Sequence, residues 1–190
     1  MQDKPLDKKS AALWATLELI SEQGFHGTPM SQIAQRANIG VGTIYRYFSS
    51  KEDLINALYI DVKARLIEYT LRNYLESMPV RESFLLLLRN IVDYFVEKPA
   101  ELLFLEQYAN SPLITATTHE EGLRMFEPVN NLFKRAREEQ LLKELPMEML
   151  NTLAFGATIS LAKLCLFGEV KLDRNVLDAG LDAVWDAIKR

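Results

Sequence analysis

The sequence predicts an all-α protein, and three observations carry this prediction. Apolar residues recur three and four positions apart in successive segments, as they do on the buried face of a helix. No segment alternates convincingly between apolar and polar residues, as a half-buried strand would. Proline, glycine and short polar stretches separate the segments. We expect about nine helices in two domains, residues 1–50 and residues 51–190.

The composition limits the kind of protein. A chain of 190 residues with 48% hydrophobic residues can bury a substantial core, and 25% charged residues cover its surface. The single cysteine, Cys165, excludes an internal disulfide. No apolar run reaches the length of a transmembrane helix, and residues 1–10 lack the apolar core of a signal peptide. We therefore expect a cytoplasmic protein without a membrane partner.

The first helix is predicted from Lys8 to Gln23. Gly24 ends it as a left-handed cap, and Phe25 packs back on the helix. We expect this helix to support the short helices that come next. Its inward stripe consists of Leu13, Leu17 and Ile20.

Residues 28–51 predict two short helices joined by a tight turn. Thr28-Pro29 suits a helix start, because the threonine can cap it and the missing N–H of proline would be unpaired there. Asn38-Ile39-Gly40 breaks this helix with residues that tolerate positive φ. In the second helix Ile44 and Phe48 lie one turn apart on an inward face. A short anchored helix that presents hydroxyls and an arginine is typical of the reading helix of a helix-turn-helix.

From Lys8 to Leu58 the chain resembles the DNA-binding domain of the tetracycline-repressor (TetR) family of bacterial regulators. The matching residues are AALWATLELISEQGFHGTPMSQIAQRANIGVGTIYRYFSSKEDLINAL. The run GTIYRYFSSKEDL is specific because it follows a GF turn and an IA helix at a fixed distance. The resemblance covers a little more than a quarter of the chain. It implies an N-terminal three-helix domain containing the helix-turn-helix, followed by a C-terminal helical bundle.

The resemblance also implies that the second short helix enters the major groove of double-stranded DNA. The residue chemistry agrees: Thr43 offers a hydroxyl and a methyl group that suits thymine, and Arg46 can bind a phosphate or a guanine edge. Lys51 lies where the next helix starts, so free N–H groups and a lysine can hold one phosphate. Packing is the alternative role for Tyr45 and Tyr47, and it carries more weight for Tyr47, because Tyr-Phe pairs often belong to a small core. The predicted DNA-binding residues are Thr28, Gln32, Gly42, Thr43, Tyr45, Arg46, Tyr47 and Lys51.

Two positions depart from the pattern of the TetR family. Its members commonly have a serine at the position of Gly40 and a lysine or arginine at the position of Val41. Residues 1–51 contain six basic and four acidic residues, whereas the whole chain has a net charge of −4. The DNA-binding end is therefore weakly cationic, and we expect modest non-specific affinity with few phosphate contacts.

The remaining segments predict a helical bundle. Pro128 interrupts a helical pattern from His119 to Leu142, so it either kinks one helix or opens a new one; we favour a kinked or split helix. Residues Thr115 to Thr118 are predicted to form a loop. One predicted helix starts after Ser50 and continues to about Glu76. The others run from Val80 to Glu97, Pro99 to about Asn110, Met147 to about Leu166 and Asp173 to Lys189.

Small residues are frequent in the last two predicted helices and would let another helix approach closely. The resemblance implies that these two helices of each subunit form the interface of a homodimer, and close packing within one subunit is the alternative. A palindromic operator favours the dimer as well, because it needs two reading heads about 34 Å apart. The predicted interface residues are Ala154, Ala157, Ser160, Leu161, Val176, Gly180 and Val184.

The C-terminal domain is rich in aromatic and methionine residues. In the TetR family this bundle encloses a small-molecule pocket, and a ligand bound there lowers operator affinity. Core packing is the alternative for each of these residues. Apolar surroundings with a few polar groups suit an apolar or aromatic organic effector. The candidate pocket residues are Phe84, Leu88, Phe104, Gln107, Tyr108, Met125, Phe126, Asn130, Phe155 and Thr158.

Two other functions are weighed against a regulator. An enzyme is disfavoured because the two histidines, His26 and His119, have no Cys or Asp at metal-ligand spacing, and no glycine-rich phosphate loop is present. We expect no catalytic residues, no metal and no cofactor. A helical ligand-binding or adaptor protein with weak or lost DNA binding is the second alternative, supported by Gly40 and Val41. Because repression is the commoner behaviour in the family, we expect a repressor that its effector releases.

Overall fold

The computed structural model describes residues 7–168 and 173–190, and these ranges contain ten α-helices and no strands. The all-α prediction is confirmed, with one helix more than expected. The short helices predicted after Lys8–Gln23 are present as well. The helices are α1 (Lys8–Gln23), α2 (Met30–Arg36), α3 (Val41–Tyr47), α4 (Lys51–Thr70), α5 (Val80–Glu97), α6 (Pro99–Tyr108), α7 (Ala116–Arg124), α8 (Glu127–Glu138), α9 (Met147–Phe167) and α10 (Arg174–Ile188).

The fourth helix ends at Thr70, well before the predicted end near Glu76. The side-chain amide of Asn90 in α5 donates to the carbonyl groups of Thr70 and Arg72, at 2.9 Å each. These bonds satisfy carbonyls that a further helical turn would otherwise have used. Asn73 follows with a φ of 60°, which a continuing helix does not allow.

The segment around Pro128 contains two separate helices. Pro128 lies in the first turn of α8, where its missing N–H removes no helical hydrogen bond. It therefore opens a new helix, which was the alternative prediction, and the favoured kink is wrong. The loop predicted from Thr115 to Thr118 is wrong, because α7 begins at Ala116. The hydroxyl of Thr115 starts this helix by accepting a hydrogen bond from the N–H of Thr118 at 3.2 Å.

The chain divides into two compact units. The first unit takes in the chain up to Lys63 and Ala100–Gly122, and the second takes in Ala64–Pro99 and the chain from Leu123. The division predicted at residue 50 stays a prediction; the contact grouping places residues 51–63 of α4, nearly all of α6 and most of α7 with the N-terminal helices. The family resemblance did not extend to α6 and α7, so nothing in the sequence indicated this grouping.

In the first unit, α1, α2 and α3 pack on one another. In the part of α4 that belongs to this unit, Leu54 and Leu58 are 0% exposed. Ile33 of α2 and Ile44 of α3 are fully buried as well. The helical spacing read from the sequence therefore selects the core of this unit correctly.

In the second unit, α5 is the central helix and packs against α8, α9 and α10. An aromatic cluster surrounds Phe84, whose ring centre lies 5.7 Å from that of Phe133 and 5.1 Å from that of Trp185. The wide apolar face predicted for this helix is confirmed by its buried residues, Val80, Ser83, Phe84, Leu87, Leu88, Ile91, Val92, Tyr94 and Phe95.

The helix α9 is long and apolar enough, by length and composition, to cross a membrane. This corrects the expectation that no apolar run reaches that length, because the polar residues scattered along α9 are uncharged apart from Glu148 and Lys163. A single helix of this kind is weak evidence for a membrane span, since a core helix of a globular domain can have the same length and composition. Here α9 packs against α5 and α10 along a stripe formed by Leu150, Ala154, Thr158 and Ala162.

Candidate DNA-binding surface

The turn between α1 and α2, residues 24–28, determines where the helix-turn-helix begins. Gly24 ends α1 with a φ of 72°, so the glycine end and its positive φ are confirmed, but its ψ of 174° lies outside the left-handed helical conformation that was predicted. Thr28 closes the turn, because its Oγ1 donates to the carbonyl of Gly24 at 2.8 Å and its N–H donates to that of Phe25 at 3.2 Å. A Cβ at Gly27 would lie 2.6 Å from the carbonyl oxygen of Gln23, so the turn has no room for a side chain there.

Thr28 has a different role from the predicted helix cap. Its side chain is 0% exposed, and its hydroxyl is directed back to the end of α1. The N-cap of α2 is Pro29, which offers no side-chain hydrogen bond. The predicted Thr28 cap is therefore wrong. At 0% exposure the Thr28 side chain does not reach the surface at which DNA would bind.

Phe25, in the same turn, is bound by two side chains from later helices. Its N–H donates to the hydroxyl of Tyr108 in α6 at 3.1 Å. The Nζ of Lys51, the first residue of α4, donates to its carbonyl and lies 4.1 Å from the centre of its ring. Burial lowers the pKa of Lys51, and the charge of Glu52 opposes this shift. Sequence reasoning missed both interactions, because the partners lie far apart along the chain.

The inward face of α3 anchors it as predicted, since Ile44 is 0% and Phe48 2% exposed. The turn before it uses Asn38 at a φ of 52°, and the N–H of Ile39 donates to the carbonyl of Ala34 at 3.0 Å. Gly40 is the N-cap of α3 and supplies no side-chain bond. As expected from the sequence, α3 lacks the side-chain cap that a serine at position 40 would supply.

The outer face of α3 is exposed and rich in large side chains. Val41 is 40% exposed, Tyr45 52% and Tyr47 40%, and Gly42 and Arg46 are exposed as well. The ring centre of Tyr47 also lies 6.3 Å from that of Phe48, so DNA contact and packing both remain predicted roles for Tyr47. Thr43 is half-buried beside these residues.

Hydrogen bonds shape the polar part of this surface. The guanidinium of Arg46 lies 5.1 Å from the ring centre of Tyr47 and donates to its hydroxyl at 3.3 Å. On α2, the exposed Gln32 accepts a hydrogen bond from the side-chain amide of Gln23 at 2.6 Å. Arg36, also on α2, is bound to carboxylates of α1, so its charge is compensated within the first unit.

The predicted pocket residues fall into both compact units. Phe104, Gln107 and Tyr108 belong to the first unit and line a depression of about 480 Å³ with α1 residues Ile20 and Ser21. The other seven predicted residues belong to the second unit. There Phe84, Leu88 and Thr158 are core residues, and Phe155 packs on Phe133. Met125 and Phe126 are half-buried. Asn130 lines a depression of about 540 Å³, whose other lining residues are Leu123, Arg124, Glu127, Lys134, Met147 and Asn151.

The predicted interface residues of α9 and α10 differ in exposure. Ala154 and Val184 are buried inside the second unit, at 0% and 6% exposure. Ser160 and Val176 are exposed. Ala157, Leu161 and Gly180 are half-buried, and a Cβ at Gly180 would lie 3.3 Å from Leu161. The contact between Leu161 and Gly180 accounts for the close packing of α9 on α10 within one chain.

An outer face of α9 carries apolar and small residues that are exposed among residues 7–168 and 173–190. Met149 is 49% exposed, Leu153 42%, Leu164 42% and Phe167 59%. Gly156 and Ser160 lie between them and are exposed as well. On α10, Val176, Ala179, Ala183 and Ala187 continue an exposed face of the same kind.

Over residues 7–168 and 173–190, no group of three or more His, Cys, Asp or Glu side chains could hold a metal ion. His119 instead stacks on Tyr59, with ring centres 6.4 Å apart. Cys165 is half-buried, and burial raises the pKa of its thiol.

Known proteins share this architecture over the whole chain. Residues 12–58 match the family described as bacterial regulatory proteins, tetR family, and residues 79–189 match the tetracyclin repressor-like C-terminal domain. A Haemophilus influenzae protein, described as an uncharacterized HTH-type transcriptional regulator, is 25% identical over 100% of both chains. A solved TetR-family structure from Vibrio parahaemolyticus is 32% identical, with a TM-score of 0.85, and covers 97% of this chain and 100% of that chain.

A more distant solved structure shares the fold alone. The transcriptional regulator FadR from Bacillus subtilis, solved in complex with stearoyl-CoA, is 19% identical with a TM-score of 0.71. It covers 93% of this chain and 95% of that chain.

In α3 the inward residues are buried in the core and the outer face is exposed. This arrangement defines a class, the helix-turn-helix transcriptional regulators. Within this class, the two matched domains together span most of the sequence. The chain belongs to the TetR family of bacterial regulators.

Proposed function

We propose that this TetR-family regulator is a repressor that binds a palindromic operator as a homodimer and is released by a small apolar or aromatic effector. The observation that carries the DNA-binding part is α3, which Ile44 anchors at 0% exposure while Tyr45 stands 52% exposed on the outer face. A short helix held in this way can enter the major groove without losing its place in the core.

The proposed contacts divide by chemistry. Thr43 and Val41 offer methyl groups to thymine, and Arg46 can bind a guanine edge or a phosphate. Tyr45 and Tyr47 can donate hydroxyl hydrogens to phosphates. The exposed backbone at Gly42 admits a close approach of DNA, and Gln32 adds a polar group from α2. Lys51 retains two N–H donors beyond its bond to Phe25, so it can also bind a phosphate.

The homodimer is proposed through the outer faces of α9 and α10. Four large apolar side chains of α9 are at least 42% exposed, and pairing with a second chain would remove them from water. Exposed Gly156 and Ser160 allow a partner helix to approach closely. Ala154 and Val184 do not belong to the proposed contact face, because they are buried within one chain.

The effector is proposed to be apolar or aromatic because half of the predicted pocket residues are aromatic and two more, Leu88 and Met125, are apolar. A fatty acyl thioester is one compound of this kind to test, since the FadR structure of similar fold holds stearoyl-CoA. The proposed location of the protein is the cytoplasm, where both the operator and such metabolites would be reached.

Fluorescence anisotropy with DNA from the region upstream of the gene tests the DNA-binding part. Tyr45→Ala should weaken specific binding about fivefold to tenfold, as expected for losing ~1 kcal/mol or more of contact energy. Gln35→Ala is the matched control, because Gln35 is exposed on α2 outside the proposed contact set. Equal affinities of the wild type and Tyr45→Ala would overturn the assignment of α3 as the reading helix.

A second candidate function rests on Gly40 and Val41, which supply neither the serine cap nor the cation usual in the family. A helical ligand-binding or adaptor protein would show only weak DNA binding, equal for specific and unrelated sequences. The same titration separates the two functions, because a regulator must prefer its own upstream DNA over an unrelated duplex of equal length.

The effector part is tested by thermal shift with long-chain acyl-CoA esters and aromatic acids. A bound effector should raise the melting temperature and, in a parallel titration, lower operator affinity. A compound that raises the melting temperature without changing operator affinity would count against regulated release.

A further inference from the structure

We propose that Tyr108 is a positioning residue for DNA binding, acting through its hydrogen bond to the backbone of Phe25. This inference rests on the proposed function, in which α3 reads the operator. It adds a residue of α6 to the DNA-binding machinery, at a position that cannot touch DNA because Tyr108 is 4% exposed.

The geometry of the turn supports this role. The N–H of Phe25 is a donor in a residue that is 8% exposed, so water cannot easily replace a lost partner. The Tyr108 hydroxyl supplies that partner at 3.1 Å. The carbonyl of Phe25 is held from the other side by Lys51 and by the N–H of Thr28. Both backbone polar groups of one turn residue are thus fixed from outside α1.

The position of this turn sets the position of the reading helix. Residues 24–28 lead directly into α2, which begins at Met30. The short turn after α2, with the bond from Ile39 to Ala34, then joins α2 closely to α3. A shift of the α1–α2 turn would therefore carry α2 and α3 with it. Base contacts need closer positioning than phosphate contacts, so such a shift should reduce specific binding first.

The ring of Tyr108 has a separate packing role, which allows the hydroxyl to be tested alone. Its ring centre lies 5.3 Å from that of Phe104. Tyr108→Phe keeps this ring and removes only the hydroxyl. Tyr69→Phe is the matched control, because it removes a hydroxyl that donates to Glu97 at 2.8 Å in the second unit.

The experiment measures the affinity of each full-length variant for the upstream duplex and for an unrelated duplex, over a series of salt concentrations. Tyr108→Phe should weaken specific binding about fivefold, leave non-specific binding unchanged and leave the salt dependence unchanged, because every phosphate-binding group is retained. Tyr69→Phe should bind both duplexes like the wild type. A loss of less than threefold, or an equal loss for both duplexes, overturns the proposal.

Amide hydrogen exchange provides a readout that does not depend on DNA. In the wild-type protein the amide of Phe25 should exchange as slowly as that of Gly24, which donates to Ile20. Tyr108→Phe should speed exchange at Phe25 by at least tenfold. Fast exchange at Phe25 in the wild type overturns the proposal even if the variant fails to fold. If Tyr45→Ala leaves operator affinity unchanged while Phe25 is protected, the reading-helix assignment fails and the hydrogen bond of Tyr108 stands as a structural one.

Discussion

Arg36 of α2 donates to both carboxylate oxygens of Glu22 in α1, at 2.9 Å each, and a further bond at 3.3 Å joins it to Glu18. These hydrogen bonds raise the pKa of Arg36, and the guanidinium holds the pKa of Glu22 below its usual range. Arg36 was part of the positive charge assigned to DNA attraction from the sequence. Its pairing means that this charge is neutralised within the first unit.

The two arginines of the helix-turn-helix should therefore differ in their effect on salt dependence. Arg46→Gln should lower the slope of log affinity against log salt by about 0.9 for each phosphate that the side chain no longer neutralises. Arg36→Gln should leave that slope unchanged, because its charge faces Glu22 and Glu18. Anisotropy titrations at several salt concentrations measure both slopes. A reduced slope for Arg36→Gln alone would show that Arg36, and not Arg46, binds the DNA phosphates.

Gly42→Ala should separate stability from DNA binding. A Cβ at this position meets nothing within 4 Å, and alanine is the better helix former by about 0.5–1 kcal/mol. Denaturant unfolding should therefore show equal or higher stability. Operator affinity should fall, because the added methyl group lies on the proposed contact face. Unchanged affinity would place Gly42 outside the surface that touches DNA.

Gly122→Ala should destabilise the protein. The added Cβ would lie 2.6 Å from Cε1 and 3.0 Å from the hydroxyl oxygen of Tyr59, which is 1% exposed and has little room to move. The expected cost is about 1–3 kcal/mol, measured by denaturant unfolding. Gly42→Ala serves as the control for a glycine in open space. Wild-type stability of Gly122→Ala would show that Tyr59 can shift.

Leu164→Glu should convert the proposed dimer into a monomer. Leu164 is 42% exposed on the outer face of α9, and a charge there would be buried by a partner chain. Leu75→Glu is the control, because Leu75 is 63% exposed and lies outside α9 and α10. Size-exclusion chromatography with light scattering reads the mass of each variant. A monomeric wild type at micromolar concentration would refute the proposed interface directly.

The sequence predicted helix positions well where the signals are local. The bounds of α1 and α5 match their predictions, since a glycine cap and a Lys-Pro pair end them. The sequence did not predict the end of a helix where a side chain distant in the chain determines that end. Asn90 ends α4 from a position in the next helix, and no local residue signals that bond.

The candidate site shows the same division. The anchors and the outer face of α3 followed from spacing, because Ile44 and Phe48 lie on one side of a short helix. The roles of Thr28 and Lys51 did not follow, because each depends on which backbone carbonyl lies within reach after folding. A hydroxyl or an ammonium near a helix start has several possible acceptors, and only the folded turn selects one.

The exposed apolar stripe of α9 would make the folded fraction of the protein depend on its concentration in the cell. Under the proposed pairing, association hides this stripe from water, so mass action links the folded fraction to protein concentration. The melting temperature should then rise with concentration. At low copy number, some chains would be unpaired and unable to span both half-sites of an operator. The abundance of the regulator would thus act as a second input to its promoter, alongside any effector.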